Sequence, residues 1–200
     1  EGSYGNALKY SDSKAYDSII VRTAQSLSTR FRPKAGIIQS WEANQKWKCP
    51  VIIDNMMNLE LLFHGTKSSG DSTYYNIAVT HANTTLKNHF RKDFSSVHVV
   101  DYDPETGEVL QKNTHQGYSD DSAWSRGQSW GLYGYTVCYR ETKDPKYLEQ
   151  ARHIANFIET NPNLPDDQIP YWDYNVPKDK DTPRDASAAA IMASALYELS

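Results

Sequence analysis

Asp54 is placed where a carboxylate could do acid chemistry. It follows the apolar run Pro50-Val51-Ile52-Ile53 and opens the helical stretch DNMMNLELLF. Two readings compete. As an N-cap, its side chain satisfies free backbone N–H groups. As a desolvated general acid/base, it exchanges a proton with a substrate. The helix dipole favours the anion and burial favours the protonated form. An acid working near neutral pH requires burial or a second carboxylate to win, so the catalytic reading predicts a pKa above that of a free Asp.

The densest polar and aromatic stretch is QGYSDDSAWSRGQSW, Gln116 to Trp130. On a helix starting at Asp121, Trp124 and Gln128 share one face, and Arg126 and Trp130 share the adjacent face. Gly127, Gly131 and Gly134 then permit close approach of a neighbouring helix. An Arg on an otherwise apolar helix is costly to bury alone. Its partner is either structural, with Asp120, Asp121 and Asp185 as candidates, or a substrate carboxylate gripped by the guanidinium fork. His98 and His115 are single histidines, open to structural or catalytic readings. Asp173 and Asp185 are further carboxylates, and Asp185 with Ser187 most simply caps the helix that follows.

The elements that must position these residues repeat. Asp-led apolar helices start at Asp54, Asp121 and Asp185, at steps of 67 and 64 residues. A second set starts near Ser13, Ser72 and Asp144, each with a Tyr in its first turn: Tyr16, Tyr75 and Tyr147. These helices carry charge on one face, whereas the Asp185 helix has almost none before Glu198. Asp144-Pro145 reads as an N-cap with Pro at the first helical position. Alternation of polar-faced and apolar helices predicts an outer and an inner layer of helical hairpins, an all-α fold. Six such hairpins close an (α/α)6 toroid, of which this chain supplies about half. Long loops join the hairpins, from Lys34 to Ile53, from Phe94 to Asp120 and from Asn161 to Arg184. The second contains a β-hairpin, VHVVDY and EVLQ around a turn at Asp103–Gly107. Nothing in composition divides the chain, so residues 1–200 read as a single domain.

Bulk properties exclude several classes. The net charge of -4 over 200 residues gives no electrostatic case for nucleic acid. No apolar run is long enough to span a bilayer. Cys49 and Cys138 read as two separate buried thiols, with a disulfide between them as the alternative, and no Cys/His cluster has zinc spacing. Nothing calls for a metal or an organic cofactor. Fourteen Tyr and five Trp fit either a sugar-stacking site or a Tyr-rich core. The chain opens at Glu1 without Met and stops directly after an apolar helical run, so we expect a piece of a longer protein.

PVIIDNMMNLELLF, THQGYSDDSAWSRGQSWGLYGY and RDASAAAIMASALYEL together resemble the unsaturated glucuronyl hydrolases of glycoside hydrolase family 88. The resemblance runs along essentially the whole chain, and WSRGQSW is its most specific part. It implies an (α/α)6 barrel acting on lyase-generated oligosaccharides that end in a 4,5-unsaturated uronic acid. Such enzymes hydrate the C4=C5 double bond rather than attack the anomeric carbon. Asp54 then matches the general acid/base. His98, Gln116 and Arg126 match polar residues of the pocket, Arg126 facing the uronate carboxylate. Trp41, Trp124 and Trp130 match its aromatic walls. The related unsaturated rhamnogalacturonyl hydrolases have Asn where this chain has Gln128, which favours the glucuronyl branch. One feature departs: the family's second acid lies in a His-Asp-x-Gly-Phe stretch, and no His-Asp dipeptide occurs here. Glu1 to Asn6 looks like the segment just after it. As an isolated polypeptide the chain is expected to be inactive. A non-catalytic sugar-binding toroid and a protein-binding helical scaffold are the alternatives outside enzymes. The source polysaccharide, the oligomeric state and the choice of periplasm or cytoplasm are open at this level.

Overall fold

The computed structural model describes residues 3–200, so Glu1 and Gly2 of the expected flanking segment lie outside the described residues. Two helical layers dominate. The outer set is α2 (Lys14–Ser28), α4 (Ser72–Asn88) and α6 (Pro145–Glu159). The inner set is α3 (Leu59–Ser69), α5 (Ser125–Thr142) and α7 (Ala186–Leu199), preceded by a short α1 (Tyr4–Leu8). Along the inner layer α5 packs against both α3 and α7, while α6 backs α5 and α4 backs α3.

Local chemistry sets the outer starts. Asp71 caps α4 by accepting from the Thr73 N–H, and Asp144 caps α6 by accepting from the Lys146 N–H ahead of Pro145. Their buried faces carry Ile77, Ala78 and Ala82 in α4, and Tyr147, Ala151, Ile154 and Ile158 in α6. The inner helix α7 is capped by Asp185, which accepts from the Ala188 N–H at 2.8 Å. It buries one stripe, Ala188, Met192 and Ala195, and leaves Tyr197 on the outside at 86% exposure. Arg140 clips the inner layer together near the far end of α5, reaching Glu60 at 2.6 Å and Glu198 at 2.9 Å. Cys49 and Cys138 are both free and buried, the two separate thiols expected rather than a disulfide.

Two of the expected inner-helix starts are different. Asp54 is not an N-cap. It lies inside a 3-10 helix, Ile53–Asn58, that runs on into α3, and its side chain caps nothing. Asp121 does not begin α5 either; the helix starts at Ser125, with Trp124 at the cap position. The reason is competition for backbone groups. Asp120 accepts from the Thr114 N–H in a turn, the Ala123 N–H goes to Asn175 and the Ser125 N–H goes to the Trp172 carbonyl. Residues 120–124 are thus committed to loops before the helix can form.

The expected hairpin is present, and it belongs to a larger sheet. β4 (Val99–Tyr102) and β5 (Val109–Asn113) flank a turn in which Asp103 accepts from the Glu105 and Thr106 N–H groups and Gly107 adopts φ +80°. β3 (Pro50–Ile52) adds on the other side of β4, antiparallel, with Val51 opposite Val100. A second small sheet pairs β1 (Phe31–Arg32) with β2 (Ile37–Ile38). The apolar approach to Asp54 is therefore a strand. Its burial together with Cys49, Val97, Val100 and Tyr102 makes a satellite core beside the helical one.

Candidate active site

The β3–β4 pairing brings together the two residues of greatest chemical interest. The ladder continues one step past β3, where the Ile53 N–H donates to the His98 carbonyl at 3.0 Å. That register sets residue 54 beside residue 98 across 44 positions of sequence. Asp54 Oδ2 lies 3.8 Å from His98 Nε2. Both atoms are buried and neither has a hydrogen-bond partner among the described residues. Two facing polar atoms left unpaired in a buried setting cost stability, and such sites are where a ligand or a water is expected to complete the bonding.

The other ring nitrogen of His98 is occupied. Nδ1 accepts from the backbone N–H groups of His115 and Gln116, both at 3.1 Å. An imidazole nitrogen that accepts two N–H donors carries no proton, so the hydrogen-bond network assigns the proton to Nε2. Burial, reinforced by the charge of His115, lowers the His98 pKa to about 3. The ring is therefore neutral at physiological pH, and its single N–H points at Asp54. Burial also raises the Asp54 pKa to about 6, against weaker opposing effects of its own backbone amide and of the Arg126 charge. The competition between dipole and burial is thus settled in favour of burial.

Aromatic rings surround this pair. Trp124, 4% exposed, stands 4.7 Å from the His98 ring, and the Arg126 guanidinium lies over Trp124 at 4.9 Å. Arg126 meets Asp185 Oδ2 at 3.7 Å, beyond hydrogen-bond range, and its N–H donors have no acceptor among the described residues. Of the three structural partners considered for Arg126, Asp185 is the one found. Trp41 sits 5.8 Å from His115, which lies 6.4 Å from His98. Gln116 is exposed and touches His98 through its backbone N–H. Trp130 lies one turn beyond Arg126, packs edge-on against Tyr133 at 5.8 Å, and with Met57 and Asn58 lines a cleft of about 620 Å³. That cleft borders the 3-10 helix carrying Asp54.

Three contributors were not singled out as site residues from sequence. Trp47 closes an aromatic triangle with Trp41 and His115, at 5.4 and 5.9 Å. Asp173, fully buried, accepts from the Tyr118 N–H and the Ser122 hydroxyl and bridges to Trp124, so it holds the loop that carries Gln116 and Trp124. Gln128, also fully buried, does not share a helix face with Trp124, which precedes the helix. It accepts from the Ser96 N–H and donates to the Phe94 carbonyl, fixing the segment just before His98. An Asn there is one methylene shorter and could not span both contacts. The YWDY pattern around Asp173 was the available signal for that residue; Trp47 had none beyond its type.

Comparison with known proteins places the chain in a family. The family model described as Glycosyl Hydrolase Family 88 matches residues 4–198. An unsaturated glucuronyl hydrolase from Formosa agariphila is 54% identical over 98% of this chain and 50% of its own length. An unsaturated chondroitin disaccharide hydrolase from Streptococcus pneumoniae is 39% identical over 90% of this chain and 45% of its own. A crystal structure of an unsaturated glucuronyl hydrolase specific for heparin superposes with a TM-score of 0.95 at 52% identity, over 98% of this chain and 53% of that one. The chain spans about half the length of the curated relatives it matches. The helical layers described above correspond to about half of an (α/α)6 barrel.

Proposed function

This chain belongs to glycoside hydrolase family 88, and we propose that it serves to remove the 4,5-unsaturated glucuronic acid from the non-reducing end of lyase-generated oligosaccharides. The observation that carries the reading is the buried, unpartnered Asp54 Oδ2 facing the equally unpartnered Nε2–H of a neutral His98. In this reading protonated Asp54 donates to C4 of the enol ether, and water adds at C5 and returns a proton to Asp54. The C5 hemiketal then opens to a ketone, and the hemiacetal left at C1 expels the remaining sugar. No covalent glycosyl–enzyme forms.

Each neighbour has a matching task. The Nε2–H of His98, directly or through a water, stabilises the carboxylate left on Asp54 when the proton has moved. Arg126, with free N–H donors and only a loose contact to Asp185, pairs with the uronate carboxylate. Trp124, buried between His98 and Arg126, backs the aromatic wall, Trp41 and Trp130 extend it, and Gln116 contributes a polar contact. A purely sugar-binding role leaves the raised pKa of Asp54 without use. The relatives named for chondroitin disaccharides and for heparin make glycosaminoglycan fragments the first substrates to try.

Loss of the conjugated enol-uronate absorbance tests the proposal, using the full-length protein and lyase-generated disaccharides. The wild type should bleach the chromophore, and in heavy-oxygen water should label the product at C5. Asp54→Asn should lose activity by at least about a thousandfold. No decay with any unsaturated disaccharide sinks the enzyme reading, and normal decay by the variant sinks the role of Asp54.

A further inference from the structure

The aromatic triangle of Trp41, Trp47 and His115 leads away from the catalytic pair, and at its outer end stands a lysine. The Lys46 Nζ lies 4.5 Å above the Trp47 ring. Lys46 is exposed and has no carboxylate partner among the described residues, unlike Lys48, which pairs with Asp103 at 3.4 Å.

The turn that presents Lys46 is built. Asn44 Oδ1 accepts from the N–H groups of Lys46 and Trp47, and the Asn44 N–H donates to the Trp47 carbonyl. Gln111 Nε2 donates to the Lys46 carbonyl at 2.6 Å, and the Trp47 indole N–H donates to Asn113 at 3.2 Å. Side chains from alternate positions of β5 thus pin a loop that would otherwise be free. An ammonium fixed over a Trp ring, next to rings that contact the catalytic His, is a ready contact for an anion on a sugar stacked nearby.

The charge balance of these residues points to local rather than general attraction. These 200 residues sum to -4, so their net charge supplies no general attraction for an anionic oligosaccharide. Recognition of negative groups then falls to individual cations, and in the reading above Arg126 is taken by the unsaturated residue.

We infer that Lys46 is a specificity-determining residue of an outer subsite, held over Trp47 to bind an anionic group on the leaving-group side of the scissile bond. The inference rests on the uronide-hydrating reading above. Two sources supply that anion: a sulfate on the sugar next to the unsaturated residue, or the carboxylate of the following uronate in a longer oligosaccharide.

The test uses full-length Asp54→Asn protein, in which bound ligand is not consumed, and tryptophan fluorescence to measure affinity. Three probes are compared: an unsulfated unsaturated disaccharide, its sulfated counterpart, and an unsulfated tetrasaccharide. Adding Lys46→Gln should weaken one of the two charged probes roughly fivefold relative to the unsulfated disaccharide, and the probe affected identifies the source. Lys46→Arg should restore the preference. Raising salt should erase the same preference in the Lys46 parent. Unchanged ratios, an equal loss on all three probes, or no preference in the parent overturns the inference. Turnover of the unsulfated disaccharide by otherwise wild-type Lys46→Gln enzyme should be unaffected. Absence of that turnover in the wild type as well counts against the hydration reading and leaves the binding ratios to decide on Lys46.

Discussion

At the scale of single residues, function and stability oppose each other at Asp54. Burial lifts its pKa from 3.8 to about 6. Between those values the folded carboxyl keeps a proton that the unfolded one releases, so this group lowers stability as pH rises through that window, and the loss is complete above it. Two pH units correspond to on the order of 3 kcal/mol. Asp54→Asn should therefore raise the unfolding free energy by about 2–3 kcal/mol at pH 8 and by little at pH 4, measured by denaturant titration at both. In the wild type, turnover that depends on the protonated acid should fall as pH rises past about 6. A stabilisation of the variant over wild type that is no larger at pH 8 than at pH 4 would show that the carboxyl is not desolvated.

At the scale of elements, the site depends on how closely α5 approaches the 3-10 helix. A Cβ at Gly134 would stand 2.4 Å from Met56 Cβ and 2.9 Å from the Met56 carbonyl carbon and oxygen. Backbone cannot give way as a side-chain tip can. Gly134→Ala gains up to about 1 kcal/mol of helix propensity, but it must push apart the two segments that carry Asp54 and Arg126. We expect a net loss of about 1–3 kcal/mol by thermal unfolding, together with a fall in kcat. The spacing of the glycines announced a close approach; its partner was not legible, because a 3-10 helix entered from a strand has no helical period to read. The capping of α6 and α7 was legible because each cap is a contact with the next few residues. The start of α5 was not. Asn175 and Trp172, some fifty residues away, take the backbone groups on which that start depends.

At the scale of the whole molecule, three histidines govern acid behaviour. Burial lowers the pKa of His81, His89 and His98 to about 3. Below pH 6.5 the unfolded chain binds protons that these folded imidazoles refuse, so stability falls as pH drops from 6.5, by on the order of 2 kcal/mol for each histidine by pH 5. Asp54 acts in the opposite direction over part of that range, but as one group against three. The full-length protein should therefore lose stability steeply between pH 6.5 and 5, read from the midpoint of urea unfolding. A flat profile would mean that the histidines are not held neutral. By itself the sequence determined the helical-hairpin repeat, the caps of α6 and α7, the β4–β5 turn and the residue types of the site, because each is written in local spacing or in a short motif. Only the tertiary structure decided that Pro50–Ile52 is a strand of the same sheet, which tautomer His98 adopts, and that Asp54 Oδ2 meets Nε2–H with nothing else to bond. Those facts rest on hydrogen bonds between positions 53 and 98 and between 98 and 115–116, where a backbone donor leaves no trace in residue type.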